Sequence, residues 1–318
     1  MKIVVVGSIA YDAVETPAGK RESQLGGSAC FFSISASYFT DVGIIGVVGE
    51  DFASSDRSML ESHGVDTTGL VEVDGKTFRW AGEYLDDINT AVTLDTQLNV
   101  FGDFEPLLSK AHASAPYLFL ANIDPILQLK VLDAMISRPK WVASDTMNLW
   151  IDIARPALID IIGKVDMLIV NEDEVRQLTG QRNLPNAAKA VMDLGPNSAV
   201  IKRGEYGAAL FGKAFSFAAP AYPLKRVIDP TGAGDSFAGG FMGHLASVEN
   251  IDEESLRTAT IVGSTMASFA VEDFGLERIK NLTKRDIGER FQAFAELTRF
   301  KSLASTSGGN RTQTTYTR

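Results

Sequence analysis

Residues 229–237 of this chain spell DPTGAGDSF, a loop that turns into a helix. Three small residues, Gly232-Ala233-Gly234, stand at the turn, so their backbone N–H groups can converge on one anion. A helix that begins there adds roughly half a positive charge at its amino end without any basic side chain. Asp235 follows in the first helical turn, where a base for an attacking hydroxyl would stand beside the anion. An Asp that merely caps a helix after a glycine-rich turn fits the same letters, so both interpretations stay open at this point.

Apolar runs upstream of this stretch predict buried strands that alternate with helices. The predicted strands are Lys2–Val6, Val42–Val48, Tyr117–Leu120, Trp141–Ser144, Met167–Val170 and Ala199–Lys202. The predicted helices include Ala29–Phe39, Ala53–His63, Gly232–Ser247 and Ser255–Ala270. Repeated strand–helix units predict an α/β fold with a doubly wound, mostly parallel sheet flanked by helices. Such sheets bind ligands beyond the carboxyl ends of their strands.

Residues 71–104 have a different pattern, which predicts a small β-sheet. The alternation over Thr77–Tyr84 places Phe78, Trp80 and Tyr84 on one face, and Thr90–Val100 is again strand-like. We expect a hairpin or small sheet that forms a lid outside the main core; an edge hairpin of the main sheet is the alternative. The aromatic face either stacks on a sugar ring or base, or packs against the core.

Composition limits the classes of partner. The chain has 318 residues, with 30 Lys and Arg against 40 Asp and Glu, and a formal net charge of −10. This acidic balance argues against nucleic acid or an anionic membrane, because phosphate-rich surfaces require clustered basic side chains. One cysteine, Cys30, excludes an internal disulfide framework and a cysteine-based zinc site. The apolar runs fall short of the ~18 residues that a membrane span needs, so we expect a cytoplasmic protein.

Three other fingerprints fail. Gly69 and Gly75-Lys76-Thr77 are one residue too far apart for a phosphate-binding Walker A loop. Phe237 occupies the position where a dinucleotide fingerprint opening at Gly232 needs its third glycine. A nucleophile elbow of the form G-x-S-x-G is missing as well. Residues 229–237 therefore remain the candidate anion site.

The stretch DPTGAGDSF resembles the C-terminal signature of the ribokinase-like (PfkB) carbohydrate kinase family, with Pro230 where Thr is commoner. Other features follow in the order of that family. Gly26-Gly27 before a helix resembles its di-glycine, residues 171–174 after a strand resemble its N-x-x-E motif, and residues 202–207 resemble its glycine turn. The resemblance implies one ribokinase-like kinase domain over residues 1–300, with lid segments at about 10–28 and 71–104. The polar residues 301–318 predict a disordered tail.

The resemblance also implies the reaction. The family uses ATP and Mg²⁺ to phosphorylate a hydroxyl, here of a sugar, polyol or nucleoside. Asp235 would be the general base, and the amides of Gly232, Ala233 and Gly234 would form the anion hole. Asn171 and Glu174 would organise the magnesium through water molecules. The same two residues also form a capping box that starts a helix, and both roles can hold together.

On the nucleotide side, the resemblance implies that Gly204 and Gly207 admit the nucleotide. Lys202 either contacts phosphate or merely ends a strand. Thr231, with Asp229, lies in a loop that binds a monovalent cation such as K⁺ in some relatives.

On the acceptor side, Asp12 follows the first strand, where the family often places a carboxylate against acceptor hydroxyls. Gly26 and Gly27 would let the backbone approach the substrate. Many relatives have Asn at the position of Phe31, so a common acceptor contact is missing and the specificity of ribose or fructose kinases does not transfer directly. Ser28 would replace part of that contact.

Two functions follow from these features. The first is an ATP-dependent small-molecule kinase. The alternative is a non-catalytic regulator of the same fold that binds a sugar or nucleotide, which an eroded base or anion hole would favour. An exposed edge of the lid sheet is compatible with a homodimer formed through the lid.

Overall fold

The computed structural model describes residues 1–85 and 88–300, so the tail predicted over 301–318 lies outside the described residues. Within those two ranges the chain forms thirteen β-strands and eleven α-helices. The strands are β1 (Ile3–Val6), β2 (Ala10–Thr16), β3 (Gly19–Gly26), β4 (Val42–Gly49), β5 (Val65–Val73), β6 (Phe78–Tyr84), β7 (Ala91–Gln97), β8 (Tyr117–Leu120), β9 (Trp141–Ser144), β10 (Met167–Asn171), β11 (Ser198–Lys202), β12 (Ala208–Gly212) and β13 (Ser216–Ala219). The helices are α1 (Ser28–Ser37), α2 (Ser54–Ser62), α3 (Lys110–Ala113), α4 (Pro125–Asp133), α5 (Asn148–Ile153), α6 (Arg155–Ile162), α7 (Glu172–Thr179), α8 (Leu184–Asp193), α9 (Ala233–Val248), α10 (Glu253–Ala270) and α11 (Lys284–Leu297). Among the helices of the described ranges, none is long and apolar enough to cross a bilayer.

Nine strands form a large sheet in the order β13-β12-β11-β10-β9-β8-β1-β4-β5. The strands from β11 to β5 in this order run parallel, whereas β12 and β13 are antiparallel to their neighbours at one edge. The chain starts in the middle at β1, adds β4 and β5 on one side, and then places β8 to β11 on the other. The carboxyl ends of β1 and β8 therefore flank the switch point where sheets of this kind bind ligands.

Helices cover both faces of the large sheet, which explains why its central strands are apolar at every position. Ile3 and Val5 of β1 pack in one core with residues of α1, α9 and α10. Val4 and Val6 pack in a second core with residues of α6, α7 and α8. Successive side chains of a strand point to opposite faces, so a strand that is buried on both faces must be apolar throughout. The predicted doubly wound, mostly parallel α/β fold is confirmed.

Four strands form a second sheet, called the small sheet below, in the order β3-β2-β6-β7. Strand β2 pairs antiparallel with β3 and parallel with β6, and β6 pairs antiparallel with β7. The predicted hairpin is present as β6 and β7, and residues 99–103 form a 3-10 helix instead of a continuation of β7. The alternative of an edge hairpin in the main sheet is wrong, because these strands belong to a separate sheet. The segment predicted at 71–104 begins inside β5, which pairs with β4 in the large sheet.

Candidate active site

Helix α9 begins at the glycine-rich stretch. Gly232 caps the helix with φ +74°, in the left-handed region, and its carbonyl accepts the Ser236 N–H at 2.8 Å. The ring of Phe31 lies against Gly232, so that any Cβ there would collide with it. Both the backbone angle and the ring therefore require glycine at this position. The Ala233 N–H donates to the Pro230 carbonyl at 3.2 Å, so an anion bound by this amide would replace a bond within the turn.

Asp235 stands in the first turn of α9 and is half-buried. Burial raises the pKa of its carboxyl to about 7, and the Asp145 carboxylate adds to the rise while Lys202 opposes it. General bases work best when their pKa lies near the working pH. A carboxyl with this pKa can accept a proton near neutral pH.

Lys202 ends β11 in a buried ion pair with Asp145. Its Nζ lies 2.9 Å from Asp145 Oδ2, and the two side chains are 17% and 5% exposed. The same Nζ lies 2.9 Å from the point that a Cβ on Gly234 would occupy. Burial lowers the pKa of Lys202, but the carboxylates of Asp145, Glu174 and Asp235 outweigh burial and raise it. The structure thus brings a charged ammonium group to the amino end of α9.

Asn171 and Glu174 begin α7 as a capping box. The Asn171 side chain accepts the Glu174 N–H at 2.8 Å, and the Glu174 side chain accepts the Asn171 N–H at 2.7 Å. Burial raises the pKa of Glu174 to about 7, with the Asp145 carboxylate adding to the rise and Lys202 opposing it. The structural role of the pair is present, and Glu174 shares the electrostatic environment of Asp235.

Gly204 and Gly207 form the turn that follows β11. Asn89, from the segment between β6 and β7, lies where a Cβ on Gly204 would be. The Gly207 carbonyl accepts the Arg203 N–H at 2.8 Å, and a Cβ on Gly207 would collide with the backbone at Ala219. The small sheet therefore reaches the turn on which the resemblance places the nucleotide.

Asp12 projects from β2 and is 4% exposed. Burial raises the pKa of its carboxyl to about 7, with Asp229 and Asp235 adding to the rise. The carboxylate fills the space where Gly26 has no side chain, and a Cβ on Gly27, at φ +90°, would come within 2.5 Å of the Ser8 carbonyl oxygen. The Ser28 hydroxyl accepts the Ser8 N–H at 3.1 Å and is buried, so Ser28 holds the loop after β1.

Of the three aromatic residues of β6, two make contacts away from the anion turn and one contacts the loop that leads into it. The Phe78 ring stacks on Phe101 with centroids 5.3 Å apart. Trp80 Nε1 donates to the Thr93 hydroxyl at 3.3 Å, within the small sheet. Tyr84 reaches the site, because the Thr231 hydroxyl donates to its phenol oxygen at 3.2 Å.

Residues 1–282 match the model of the pfkB family of carbohydrate kinases. The chain is a member of this family. This pfkB-family kinase is 28% identical over 258 residues to the cytidine kinase of Thermococcus kodakarensis, which covers 80% of this chain and 91% of that protein. It is 27% identical over 237 residues to the nucleoside kinase of Methanothermobacter thermautotrophicus, and the matched region covers 74% of this chain and 74% of that protein.

A solved structure shares the fold of this pfkB-family kinase. The aminoimidazole riboside kinase of Salmonella enterica, crystallised with aminoimidazole riboside and an ATP analogue, superposes with a TM-score of 0.72. The two chains are 21% identical over 92% of this chain and 100% of that one. The family match and the relatives make this chain an ATP-dependent kinase of the carbohydrate and nucleoside class.

Kinases of the ribokinase family use ATP with Mg²⁺. In the part of this pfkB-family kinase that the structure describes, no three His, Cys, Asp or Glu side chains are arranged to hold a metal ion directly. Magnesium suits such a place, because it keeps several waters and binds through one or two carboxylates plus substrate phosphates. Burial is the main cause of the raised pKa values of Glu174 and Asp235, and the Asp145 carboxylate adds to both, so a cation placed among these carboxyls would stabilise their charged forms. The site therefore fits a hydrated magnesium ion that arrives with the nucleotide.

Sequence reasoning assigned no role to Asp145 in this pfkB-family kinase. Asp145 follows β9 directly, is 4% exposed, and accepts the Thr146 N–H at 2.8 Å in addition to the Lys202 ammonium. The signal was an acidic residue immediately beyond a buried strand, at the ligand-binding edge of the sheet. Its partner is 57 residues away in sequence, so the pairing itself had no local signature.

Proposed function

We propose that this kinase transfers the γ-phosphoryl group of ATP to a hydroxyl of a nucleoside or sugar, with Asp235 as the general base. One observation carries the proposal. Asp235 stands at the amino end of α9 with a pKa of about 7, and the charged Lys202 adjoins the same turn. The base, the dipole of the helix and a cation are thereby gathered around one place for a transferring phosphoryl group.

The transfer step breaks one bond and forms one. The acceptor oxygen attacks the γ-phosphorus, its proton passes to the Asp235 carboxylate, and the bond from the γ-phosphorus to the bridging oxygen of ADP breaks. Negative charge on the transferring group would be stabilised by the amides of Gly232, Ala233 and Gly234 and by Lys202. For the Ala233 amide this means giving up its bond to Pro230.

Nucleotide and metal would lie on the side of β10 and β11. Gly204 and Gly207 would form the turn at which the nucleotide binds. Their positive φ values of +53° and +88°, and the contacts with Asn89 and the Ala219 backbone, exclude a side chain at either position. Magnesium, held through water by Glu174 and Asn171, would supply charge neutralisation between the phosphates. In this arrangement Asp145 keeps the Lys202 ammonium directed toward the anion turn.

The acceptor would bind against the small sheet, with Asp12 receiving hydrogen bonds from its hydroxyls. The Asp235 carboxylate adds to the raised pKa of Asp12, which supports an acceptor site on the side of Asp12 that faces the proposed base. The relatives named as cytidine and nucleoside kinases favour a nucleoside acceptor. The buried Phe31 ring supplies no hydrogen bond, so this acceptor site differs from one that has Asn there.

The monovalent cation would bind at the loop before α9, and the homodimer would form through an edge of the small sheet. The Asp229 carboxylate accepts N–H groups from Thr231, Gln24 and Gly275, and a K⁺ ion at that loop would add to these contacts. Strands β3 and β7 form the two edges of the small sheet, and a second copy would pair along one of them. Comparison of the phosphoryl-transfer rate in K⁺ with that in tetramethylammonium tests the cation. The molecular mass of the protein in solution tests the homodimer.

The deciding experiment offers the purified chain a panel of nucleosides, sugars and polyols with ATP and magnesium. We expect ADP and a phosphorylated product to form with at least one nucleoside, at a rate well above acceptor-free ATP hydrolysis. If every acceptor leaves ATP intact while nucleotide or sugar binding is measurable, the non-catalytic regulator replaces this proposal.

A further inference from the structure

Three hydrogen bonds tie the small sheet to the loop that leads into the anion turn. The Thr16 hydroxyl of β2 donates to the Ile228 carbonyl at 2.8 Å. Gln24 of β3 donates through Nε2 to Asp229 Oδ2 at 3.1 Å. The Thr231 hydroxyl donates to Tyr84 of β6 at 3.2 Å. Three strands of one sheet therefore hold residues 228, 229 and 231, immediately before Gly232.

The bond from Gln24 acts on the most buried part of this loop. Asp229 is completely buried, its Oδ1 accepts the Thr231 N–H at 2.9 Å, and its Oδ2 also accepts the Gly275 N–H at 3.1 Å. One carboxylate thus fixes the backbone at Thr231 while Gln24 fixes the carboxylate. An amide that donates to a buried carboxylate forms a charge-assisted hydrogen bond, which is stronger than a neutral one.

Gln24 also adjoins the acceptor side of the site. It is paired across the β2–β3 ladder with Asp12, the carboxylate that the proposed function places against the acceptor. A ligand that changes the position or charge of Asp12 therefore acts on the residue that is paired with Gln24 across the two strands. From Gln24 the contacts continue through Asp229 and Thr231 to Gly232.

We propose that Gln24 is a positioning residue that couples the acceptor-binding small sheet to the geometry of the anion turn at Gly232–Gly234, with Tyr84 as a second link. The catalytic consequence of this coupling rests on the proposed function, because it requires the acceptor to bind at Asp12 and the phosphoryl group to bind at Gly232–Gly234. The physical link consists of hydrogen bonds and strand pairing within the chain itself. The hydrogen bonds from Gln24 and Tyr84 hold the anion turn in the shape that binds a phosphoryl group while the small sheet contacts residues 229 and 231. Acceptor and nucleotide therefore bind cooperatively.

The substitution Gln24→Met tests the link, because it keeps the length of the side chain and removes the amide donor. Gln97→Met is the matched control: Gln97 lies on β7 of the same sheet and donates to Asp95, away from the loop. Tyr84→Phe removes the second link and keeps the ring. Circular dichroism and thermal unfolding establish that each variant is folded before comparison.

The first measurement is amide hydrogen exchange over residues 228–236 in the ligand-free protein. We expect at least a tenfold faster exchange of these amides in Gln24→Met than in Gln97→Met, and a smaller increase in Tyr84→Phe. Equal exchange in Gln24→Met and Gln97→Met overturns the inference. This measurement needs no substrate, so its outcome does not depend on whether the chain is active.

The second measurement is acceptor affinity with and without a non-hydrolysable ATP analogue. Coupled sites typically change each other's affinity by about 5–150-fold. We expect that factor to fall toward unity in Gln24→Met and to persist in Gln97→Met, with acceptor affinity in the absence of nucleotide unchanged. An unchanged factor in Gln24→Met contradicts the inference even for an active kinase. Failure of the proposed function is seen separately, as wild-type protein that transfers no phosphoryl group.

Discussion

A single lysine balances three carboxyl groups at the carboxyl edge of the large sheet. Lys202 is paired with Asp145, and Glu174 and Asp235 stand close enough to raise its pKa. Two of these carboxyls have a pKa of about 7, because burial and mutual repulsion exceed the attraction of one cation. Groups whose pKa is shifted far from its usual value are concentrated at functional sites. At the scale of single residues, the proposed function uses this crowding: Asp235 would accept the acceptor proton, and a cation would stabilise the charged carboxyls.

Asp235→Asn removes the proposed base and keeps the shape of its side chain. We expect kcat to fall by about 10²–10⁴-fold, because amides do not accept the acceptor proton. In the wild type, kcat/KM should decrease as the pH falls below about 7, since the carboxyl then binds a proton and stops working as a base. Steady-state kinetics from about pH 5.5 to 9 measure both effects. Asp133→Asn, at an exposed carboxyl that ends α4, is the control; equal rates in both variants would remove Asp235 from the mechanism.

We expect variants of Lys202 and Asp145 to shift the pH–rate profile in opposite directions. Lys202→Met removes the attraction that lowers the pKa of Asp235, so the acid limb of the pH–rate profile should move to higher pH and kcat should fall about 10²–10³-fold. Asp145→Asn removes a repulsion, so the acid limb should move to lower pH. The double variant removes both members of the ion pair, so it separates this effect from misfolding caused by leaving either Lys202 or Asp145 without its partner. Shifts in the same direction for both single variants would show that the pair does not tune Asp235.

The entrance of α1 illustrates how an element is fixed to its sheet. Gly27 caps α1 with φ +90°, and a Cβ there would lie 2.5 Å from the Ser8 carbonyl oxygen. Phe31, one turn later, lies against Gly232 of α9. The start of α1 therefore sets the distance between the loop after β1 and the anion turn.

Gly27→Ala tests this arrangement against a matched position. Gly64 also has a left-handed φ of +77°, but a Cβ there would meet nothing within 4 Å. Gly64→Ala should cost about 1 kcal/mol of unfolding free energy, from the backbone angle alone. Gly27→Ala should cost about 1–3 kcal/mol more, because the loop after β1 must move and because φ +90° with ψ 148° is a backbone conformation that almost only glycine adopts. Urea unfolding of both variants gives the difference, and equal costs would mean that the start of α1 relaxes away from both the Ser8 contact and the unusual backbone angles of Gly27.

The success of sequence reasoning differed between elements for physical reasons. Strands such as β1 and β8 were predictable, because burial on both faces leaves only apolar residues in them. Strand β3 reads GKRESQLG and is exposed over most of its length, so neither burial nor alternation marks it as a strand. The parallel pairing of β2 with β6 depends on tertiary packing. At the site, the motif residues around Asp235 were predictable, whereas contacts such as Lys202 with Asp145 join distant segments and have no local pattern.

Carboxyl crowding at the site also affects the stability of the whole molecule. Asp12 and Asp235 have a pKa of 3.8 when unperturbed and about 7 in the folded chain. A raised folded-state pKa contributes stability that is fully present below about pH 4 and is lost as the pH rises through about 7. Asp12→Asn should therefore have an unfolding free energy about 1–3 kcal/mol larger than that of the wild type at pH 8, with a higher unfolding temperature, and should differ little from it near pH 4. Calorimetry at both pH values measures this, and a variant that is less stable at pH 8 would show that Asp12 is well solvated or paired.

The net charge of −10 gives a last prediction at the scale of the whole chain. The field of an acidic protein repels the anionic Mg–ATP complex before it reaches the site, and salt screens this repulsion beyond a Debye length of about 10 Å at 0.1 M. Raising the ionic strength from about 0.01 to 0.15 M with tetramethylammonium chloride should therefore lower KM for ATP about two- to threefold, while KM for an uncharged nucleoside stays constant. Inside the site, the buried Lys202 and the backbone amides are screened much less, so kcat should also stay constant. A KM for ATP that rises with salt would mean that an exposed basic patch, rather than helix α9 and Lys202, captures the nucleotide.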